Sequence, residues 1–334
     1  MRSEVRALPE EFLDRLGRMV PRSKWDEIAN TFAQRRPTTF RVNTLKASPC
    51  AIQEVLQADG FGLKQISWYK EAFLLERRSL RELQKTPAYR EGKLYVQSLS
   101  SMVPALVLDP QPGEEVLDIA AAPGGKTTQM ICLMKGQGVV VANDNNRVRF
   151  FKLKANVELQ DSPHVELTLK AGEAFGRTHP NRFDRVLVDA PCSAEGRFQI
   201  HEPRSFGFWK LAKIREMVRK QRRLLASAIN ATRPGGKILY STCTFAPEEN
   251  EGIIDWALDR FPGQLTLEPI ALSFPKGTSG LSSWEGKAFS SAVRRAVRIL
   301  PTSWMEGFFL ARLRKVAANT PTDATSIARV SPHQ

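Results

Sequence analysis

At Val116-Leu117-Asp118-Ile119-Ala120-Ala121-Ala122-Pro123-Gly124-Gly125-Lys126-Thr127 the chain runs from an apolar segment through a turn of small residues and into helical spacing over 126–133. A short unbroken run of Val, Leu and Ile suits a strand buried on both faces. Glycine in the turn lets backbone approach a ligand closely, and a following helix offers N–H groups that have no partner within it. Strand, turn and helix in this order begin a βα unit.

Further units follow. Strands are expected at 116–120, 139–142, 166–169, 185–189 and 237–240. Helices are expected at 126–133, 147–159 and 208–230. Strands alternating with helices predict a parallel, doubly wound, Rossmann-like α/β sheet. Residues 298–300 and 306–313 are further β-type runs, read as an antiparallel edge, and 262–296 look like an excursion rich in Gly, Ser and Pro. Upstream, Phe12, Leu13, Leu16 and Val20 recur at helical spacing. Residues 36–90 mix β-type runs with a helix near 52–58, together with Trp68 and Tyr69. The expected organisation is a small α+β appendage at 1–90, a catalytic domain at 91–315 and a disordered tail at 316–334. The appendage reads equally well as an RNA-contacting element or as a structural cap.

Lys and Arg number 49 against 35 Asp and Glu, a net charge of +14. Such a field attracts polyanions, nucleic acid above all. Residues 1–90 hold seventeen basic and eleven acidic residues, so no single tail carries the excess. The 208–230 helix has Leu211, Ile214, Val218 and Leu225 on one side, with Lys213, Arg215, Arg219, Lys220, Arg222 and Arg223 on the rest. A solvated face is the commoner meaning of such a run. No apolar run reaches the ~18 residues of a membrane span, and the first residues lack a signal-peptide core, so the cytoplasm is the expected location. Cys50, Cys132, Cys192 and Cys243 form no C-x-x-C pair and the four histidines do not cluster, so no metal site is expected.

Ligands of open α/β sheets sit beyond the carboxyl ends of the strands. Three chemistry-bearing segments are expected there: the glycine turn, Asp189-Ala190-Pro191-Cys192-Ser193 and Ser241-Thr242-Cys243-Thr244-Phe245. The turn does not fit a phosphate-binding P-loop, because Ala120 stands where the first glycine is needed, and it lacks dinucleotide G-x-G-x-x-G spacing. A tight turn followed by an acid at the end of the next strand suits S-adenosylmethionine. Asp144 is that acid, with a carboxylate able to accept both ribose hydroxyls; the competing reading is a helix N-cap. A single cysteine at a strand end is more often a small core residue. Two, each in its own motif beside a cofactor-type loop, favour thiol nucleophile chemistry. A reactive thiolate needs a nearby cation, and Lys126 is a candidate.

Taken together, these segments resemble the RsmB/Nop/Sun family of RNA cytosine-C5 methyltransferases. The matching stretches are Tyr95-Val96-Gln97 with Ser100-Ser101-Met102, the 118–127 loop, residues 189–193, Ser241–Cys243 with Pro247-Glu248-Glu249-Asn250-Glu251, and 298–301 with 306–315. The resemblance implies an S-adenosylmethionine-dependent enzyme that methylates carbon 5 of a cytosine in ribosomal or transfer RNA through a covalent cysteine–C6 adduct. It implies Cys243 as nucleophile, Cys192 as the thiol that aids release, and Asp189 as the acid on the cytosine edge. The cofactor would meet Ala120, Ala121, Ala122, Pro123, Gly124, Gly125, Lys126, Asp144, Glu173 and Asp189. Glu173 stands where the family has aspartate, and Ala194 where it has glycine. The competing readings are a catalytically silent RNA-binding assembly factor and a methyltransferase for an exocyclic amine. The order of the thiols is open on chemistry alone, since DNA cytosine-C5 methyltransferases place the nucleophile in Pro-Cys. RNA is the expected partner, with no membrane and no obligate protein partner.

Overall fold

The computed structural model describes residues 7–271 and 277–316. The strands in chain order are β1 (Thr39–Val42), β2 (Leu63–Ile66), β3 (Tyr69–Leu75), β4 (Leu94–Val96), β5 (Glu115–Asp118), β6 (Val139–Asn143), β7 (Val165–Thr168), β8 (Phe183–Asp189), β9 (Thr232–Thr242), β10 (Leu265–Glu268), β11 (Gly277–Ser279), β12 (Ser283–Trp284), β13 (Lys287–Ala288), β14 (Val297–Ile299) and β15 (Phe308–Lys315).

The large sheet has the order β11-β14-β15-β9-β8-β5-β6-β7, with β10 also on β15. Strands β5 to β9 are parallel to one another. The chain winds outward from β5 through β6 to β7, then returns to the other side of β5 for β8 and β9. The reversal lies between β5 and β8, the place where open α/β sheets bind ligands. Register sets Asp118 opposite Leu187 and Ala142, and Asp189 opposite Ser241, so the chemistry-bearing residues leave the sheet at one end. Val116, Leu117, Val186, Leu187, Ile238 and Leu239 are fully buried, as a sheet covered on both faces requires.

The doubly wound sheet is as expected, and the differences lie at its margin. β15 is antiparallel to β9 but is not the edge, because β14 and β10 pair with its far side and β11 extends β14. The excursion thus returns two strands to the sheet. The expected strand at 237–240 is the centre of an eleven-residue strand. Residues 1–6 and most of the expected tail, 317–334, lie outside the described residues.

The N-terminal part divides its packing. β2-β3-β1-β4 form an antiparallel sheet over Pro49–Ala58. The helices Glu10–Met19 and Trp25–Thr31 instead join a cluster with Phe198, Trp209, Ile214, Phe245 and Leu300. Phe12 is its centre, with ring centroids 4.9 Å from Phe198 and 5.7 Å from Phe32. Those helices therefore cover the segments that follow the two cysteines. Arg41 of β1 is fully buried and spans the interface: it donates to Gln97 Oε1 (2.9 Å), Thr128 Oγ1 (2.6 Å) and the Gly125 carbonyl (3.0 Å). A charge this deep needs such partners, and they tie the small sheet to the glycine turn.

Candidate active site

A cavity of about 880 Å³ opens beyond the carboxyl ends of β5, β6, β8 and β9. It is lined by Ala120, Ala121, Ala122, Pro123, Gly125, Lys126, Asp144, Glu173, Asp189, Cys192 and Cys243, among others. Every site residue expected from the sequence except Gly124 therefore borders one space. Gly124 shapes that space from behind. It sits at φ +105°, and a Cβ there would come within 3.0 Å of Leu153 Cδ1, so this turn needs glycine.

One end of the cavity is acidic. Asp144 is 2% exposed; its Oδ1 accepts from Asn146 N–H (2.9 Å), its Oδ2 accepts from Ala122 N–H (3.3 Å), and Arg149 lies 3.3 Å away. It is not the N-cap of Arg147–Leu159. Asn146 is, accepting from Arg149 N–H at 3.0 Å. Asp118 accepts from Thr127 Oγ1 (2.7 Å), while its other oxygen is buried without a partner. Burial pushes its carboxyl up to about 7. Glu173 stands 3.8 Å from Arg223.

The reacting end centres on two sulfurs. Cys192 follows β8, Cys243 follows β9, and the parallel register brings their Sγ atoms to 3.4 Å. The Cys192 thiol is pushed well above its ordinary value, first by its contact with Cys243 and then by burial. Asp189 accepts from Ser241 Oγ (2.9 Å) and pairs with Lys126 (2.7 Å), which also donates to Ser101 Oγ (2.8 Å). Lys126 is thus committed to Asp189. Arg197 is the cation that responds to the thiols: Glu306 holds its guanidinium up most strongly, with Cys243, Cys192 and Asp189 adding to this.

A family described as "16S rRNA methyltransferase RsmB/F" matches residues 105–314, and one described as "N-terminal domain of 16S rRNA methyltransferase RsmF" matches 8–99. The chain belongs to the RsmB/F methyltransferase family. Among its relatives, a tRNA (cytosine(49)-C(5))-methyltransferase of Pyrococcus abyssi is 38% identical over 285 residues, 84% of this chain and 88% of that protein. A ribosomal RNA small subunit methyltransferase F of Cronobacter sakazakii is 36% identical over 323 residues, 95% of this chain. The chain spans 65% of that relative's length. The crystal structure of a methyltransferase homolog from Pyrococcus horikoshii aligns with a TM-score of 0.76 at 34% identity, covering 92% of this chain and all of that one.

Several residues of this RsmB/F site were given no role from the sequence, although Ser101, Glu249 and Glu306 lie in the stretches that carry the resemblance. Arg197, Glu306, Ser98 and Ser101 line the cavity. Glu306 accepts from Ser98 Oγ (3.2 Å) and lies 3.6 Å from Arg197. Glu195 and Glu249 are completely buried behind the cysteines. Gly196 is required by close approach, since a Cβ there would lie 2.2 Å from the Gly307 carbonyl oxygen. Ala194, where the family has glycine, adopts φ +58°, a left-handed conformation that costs a side chain about 1–2 kcal/mol. Among the described residues, no helix is long and apolar enough to cross a membrane.

Proposed function

We propose that this chain transfers a methyl group from S-adenosylmethionine to carbon 5 of a cytosine in RNA, with Cys243 as the attacking thiolate. The observation that carries the reading is the 3.4 Å contact between Cys192 and Cys243 inside the same cavity as Asp144 and Asp189. An exocyclic amine acceptor needs no thiol pair, so this contact argues against that reading.

The cavity fits the cofactor on its own chemistry. A cationic sulfonium with a ribose suits a space bordered by Asp118, Asp144, Glu173 and Asp189, one of which keeps a buried oxygen without a partner. Asp144 would accept the ribose hydroxyls, the 120–126 turn would meet the amino-acid part, and Glu173 would accept from the adenine amine. When bound, S-adenosylmethionine supplies an electrophilic methyl group.

Carbon 5 of cytosine is a weak nucleophile, so the protein must change the ring first. A thiolate that adds to carbon 6 leaves an enamine, dividing one hard step into easier ones. The Cys192 thiol is held up by its contact with Cys243 and by burial. Cys243 is assigned the attack from its place in the Thr-Cys segment, and Arg197 is a cation that interacts with both sulfurs. Asp189, oriented by Lys126 and Ser241, retains lone pairs for the amino edge of the base. After methylation the carbon-5 proton leaves to a base, and its electron pair re-forms the ring double bond as Cys243 departs. Cys192, in contact with the departing sulfur, aids that release. The target base must be unstacked to enter the cavity, and the +14 net charge suits RNA.

The direct test incubates the protein with S-adenosylmethionine and cellular RNA, followed by nucleoside mass spectrometry. 5-Methylcytidine is the expected product. An N4-methylated product would overturn the reading, and no product would favour a silent RNA-binding factor. A second prediction concerns Asp144. Asp144→Ala should weaken S-adenosylmethionine binding by about tenfold or more, the worth of a charge-assisted hydrogen bond of ~1.5–3 kcal/mol. Calorimetry reads this directly. Unchanged affinity would remove Asp144 from the cofactor site.

A further inference from the structure

Behind the two cysteines runs a buried polar chain that the chemistry above leaves unused. Each cysteine is followed by a hydroxyl residue, Ser193 after Cys192 and Thr244 after Cys243. The two hydroxyl oxygens are buried and 2.7 Å apart. Glu249, from the segment after Cys243, crosses to Ser193: it accepts the Ser193 N–H at 3.1 Å and lies 2.5 Å from the Ser193 hydroxyl. Glu195, from the segment after Cys192, crosses the other way and accepts from the Thr244 hydroxyl (2.9 Å) and the Phe245 N–H (3.0 Å). Each loop therefore grips the residue next to the other loop's cysteine. Gln221 Nε2 on Glu249 (2.7 Å) and Trp209 Nε1 on Glu195 (2.8 Å) anchor both carboxyls to the Leu211–Ala231 helix and its approach.

Counting protons along this chain exposes a shortage. An ionised carboxylate only accepts, and each hydroxyl has one hydrogen to give. With both glutamates ionised, Ser193 donates to Glu249 and Thr244 to Glu195. The 2.7 Å contact between the hydroxyls then holds no hydrogen at all. One added proton resolves this, and geometry favours Glu249 as its carrier, because the Glu195 oxygen that faces Thr244 also accepts the Phe245 N–H: Glu249 donates to Ser193, Ser193 to Thr244, and Thr244 to Glu195. Every short contact is then a hydrogen bond, and two full negative charges no longer face each other in the interior.

We propose that Glu195 and Glu249 are positioning residues for the cysteine pair, a reciprocal clamp closed by one shared proton carried on Glu249, which holds the two thiols in contact. Burial pushes the Glu249 carboxyl up to about 8, consistent with its carrying that proton at neutral pH. Burial raises Glu195 as well, opposed by its donors Trp209 and Thr244 and by the charge of Arg15. The inference rests on the reading of Cys192 and Cys243 as the reacting pair, but its test does not require RNA.

The test uses the full chain with Glu249→Gln and Glu195→Gln. Glutamine at 249 is a neutral isostere of the protonated acid, with an N–H for Ser193 and a carbonyl for the Ser193 N–H. Glutamine at 195 turns its NH2 toward either the Trp209 Nε1–H or the Phe245 N–H, each of which only donates. At neutral pH, the infrared difference between wild type and Glu249→Gln should contain the C=O stretch of a protonated carboxyl. The difference for Glu195→Gln should contain carboxylate bands only. Thiol contact is read without RNA as the rate at which hydrogen peroxide joins Cys192 to Cys243, two thiols being oxidised to a disulfide as the peroxide is reduced to two waters. Glu249→Gln should keep a rate near that of wild type, and Glu195→Gln should slow it at least about tenfold, as sub-ångström misplacement of reacting groups does. With RNA, Glu195→Gln should lower kcat while KM for S-adenosylmethionine stays unchanged. If Glu195→Gln does not fold, Ser193→Ala, which breaks the hydroxyl link, should slow disulfide closure in its place. Absence of a protonated-carboxyl band for Glu249, or equal disulfide rates in all variants, overturns the clamp. A wild-type protein that makes no 5-methylcytidine overturns the proposed function instead and leaves the infrared and peroxide results to decide the clamp separately.

Discussion

Cys243→Ala should lower cytosine methylation by about a thousandfold or more, as removal of a nucleophile does, and should leave no covalent protein–RNA species. Cys192→Ala should behave differently. It should complete attack and methyl transfer and then stall, and a denaturing gel should show a slow band that needs both RNA and S-adenosylmethionine. The asymmetry follows from the roles proposed for the two sulfurs in their 3.4 Å contact. Contact with Cys243 and burial hold the Cys192 thiol up, which suits the proposed role of Cys192 in release rather than attack. Without Cys192 the attacking sulfur remains, together with Arg197 and Asp189, but the group touching the departing sulfur is gone. A band that appears with Cys243→Ala and vanishes with Cys192→Ala would reverse the roles. Two fully active variants without any band would remove covalent catalysis altogether.

Arg298→Ala should cost about 3–5 kcal/mol of folding stability, the usual cost of breaking a buried ion pair by removing one partner. Arg298 on β14 is 5% exposed and donates to both carboxylate oxygens of Glu251, at 2.6 and 2.5 Å, and to the Phe245 carbonyl at 2.9 Å. Glu251 is wholly buried. Alanine at 298 would leave that carboxylate uncompensated and release the segment just after Cys243, so activity should fall along with stability. Urea unfolding measures the first effect. Arg298→Lys should not restore it, because a point-charge ammonium cannot reproduce the two-pronged contact. Arg298→Met combined with Glu251→Met should be more stable than Arg298→Ala, since it removes both charges. A loss below about 1 kcal/mol for Arg298→Ala would mean that the pair behaves like an exposed one.

The sheet and its crevice were legible because apolar β-type runs end abruptly in residues that do not belong in a core. Asp118, Asp144, Asp189 and the segment around Cys243 each follow such a run, and parallel register alone brings them to one end. The margin was less legible. β10 and β11 are only four and three residues long, too short for periodicity to separate from loop, whereas β14 matches the β-type run expected at 298–300. The helices of residues 10–31 looked like part of an appendage, yet they cover the cysteine segments, because Phe12 and Phe32 find their aromatic partners there rather than on the small sheet. Charged residues were the hardest to read. Arg, Lys, Asp and Glu are rarely buried unless paired, so Arg41 and Glu195 carry no signal in a single sequence that separates them from surface charges, and Glu249 and Glu251 stand in a matching stretch that says nothing of their burial. Lys126 was read as a cation for the thiols, whereas its commitment to Asp189 depends on a contact between β8 and the glycine turn that spacing does not reveal.

The most direct test of the central claim is to digest the RNA-bound Cys192→Ala protein and locate the nucleotide adduct by peptide mass spectrometry. The account predicts a methylated cytidine attached to Cys243 in the peptide that carries Ser241-Thr242-Cys243-Thr244. An adduct on any other residue, or an unmethylated nucleotide on Cys243 in the presence of S-adenosylmethionine, would contradict it.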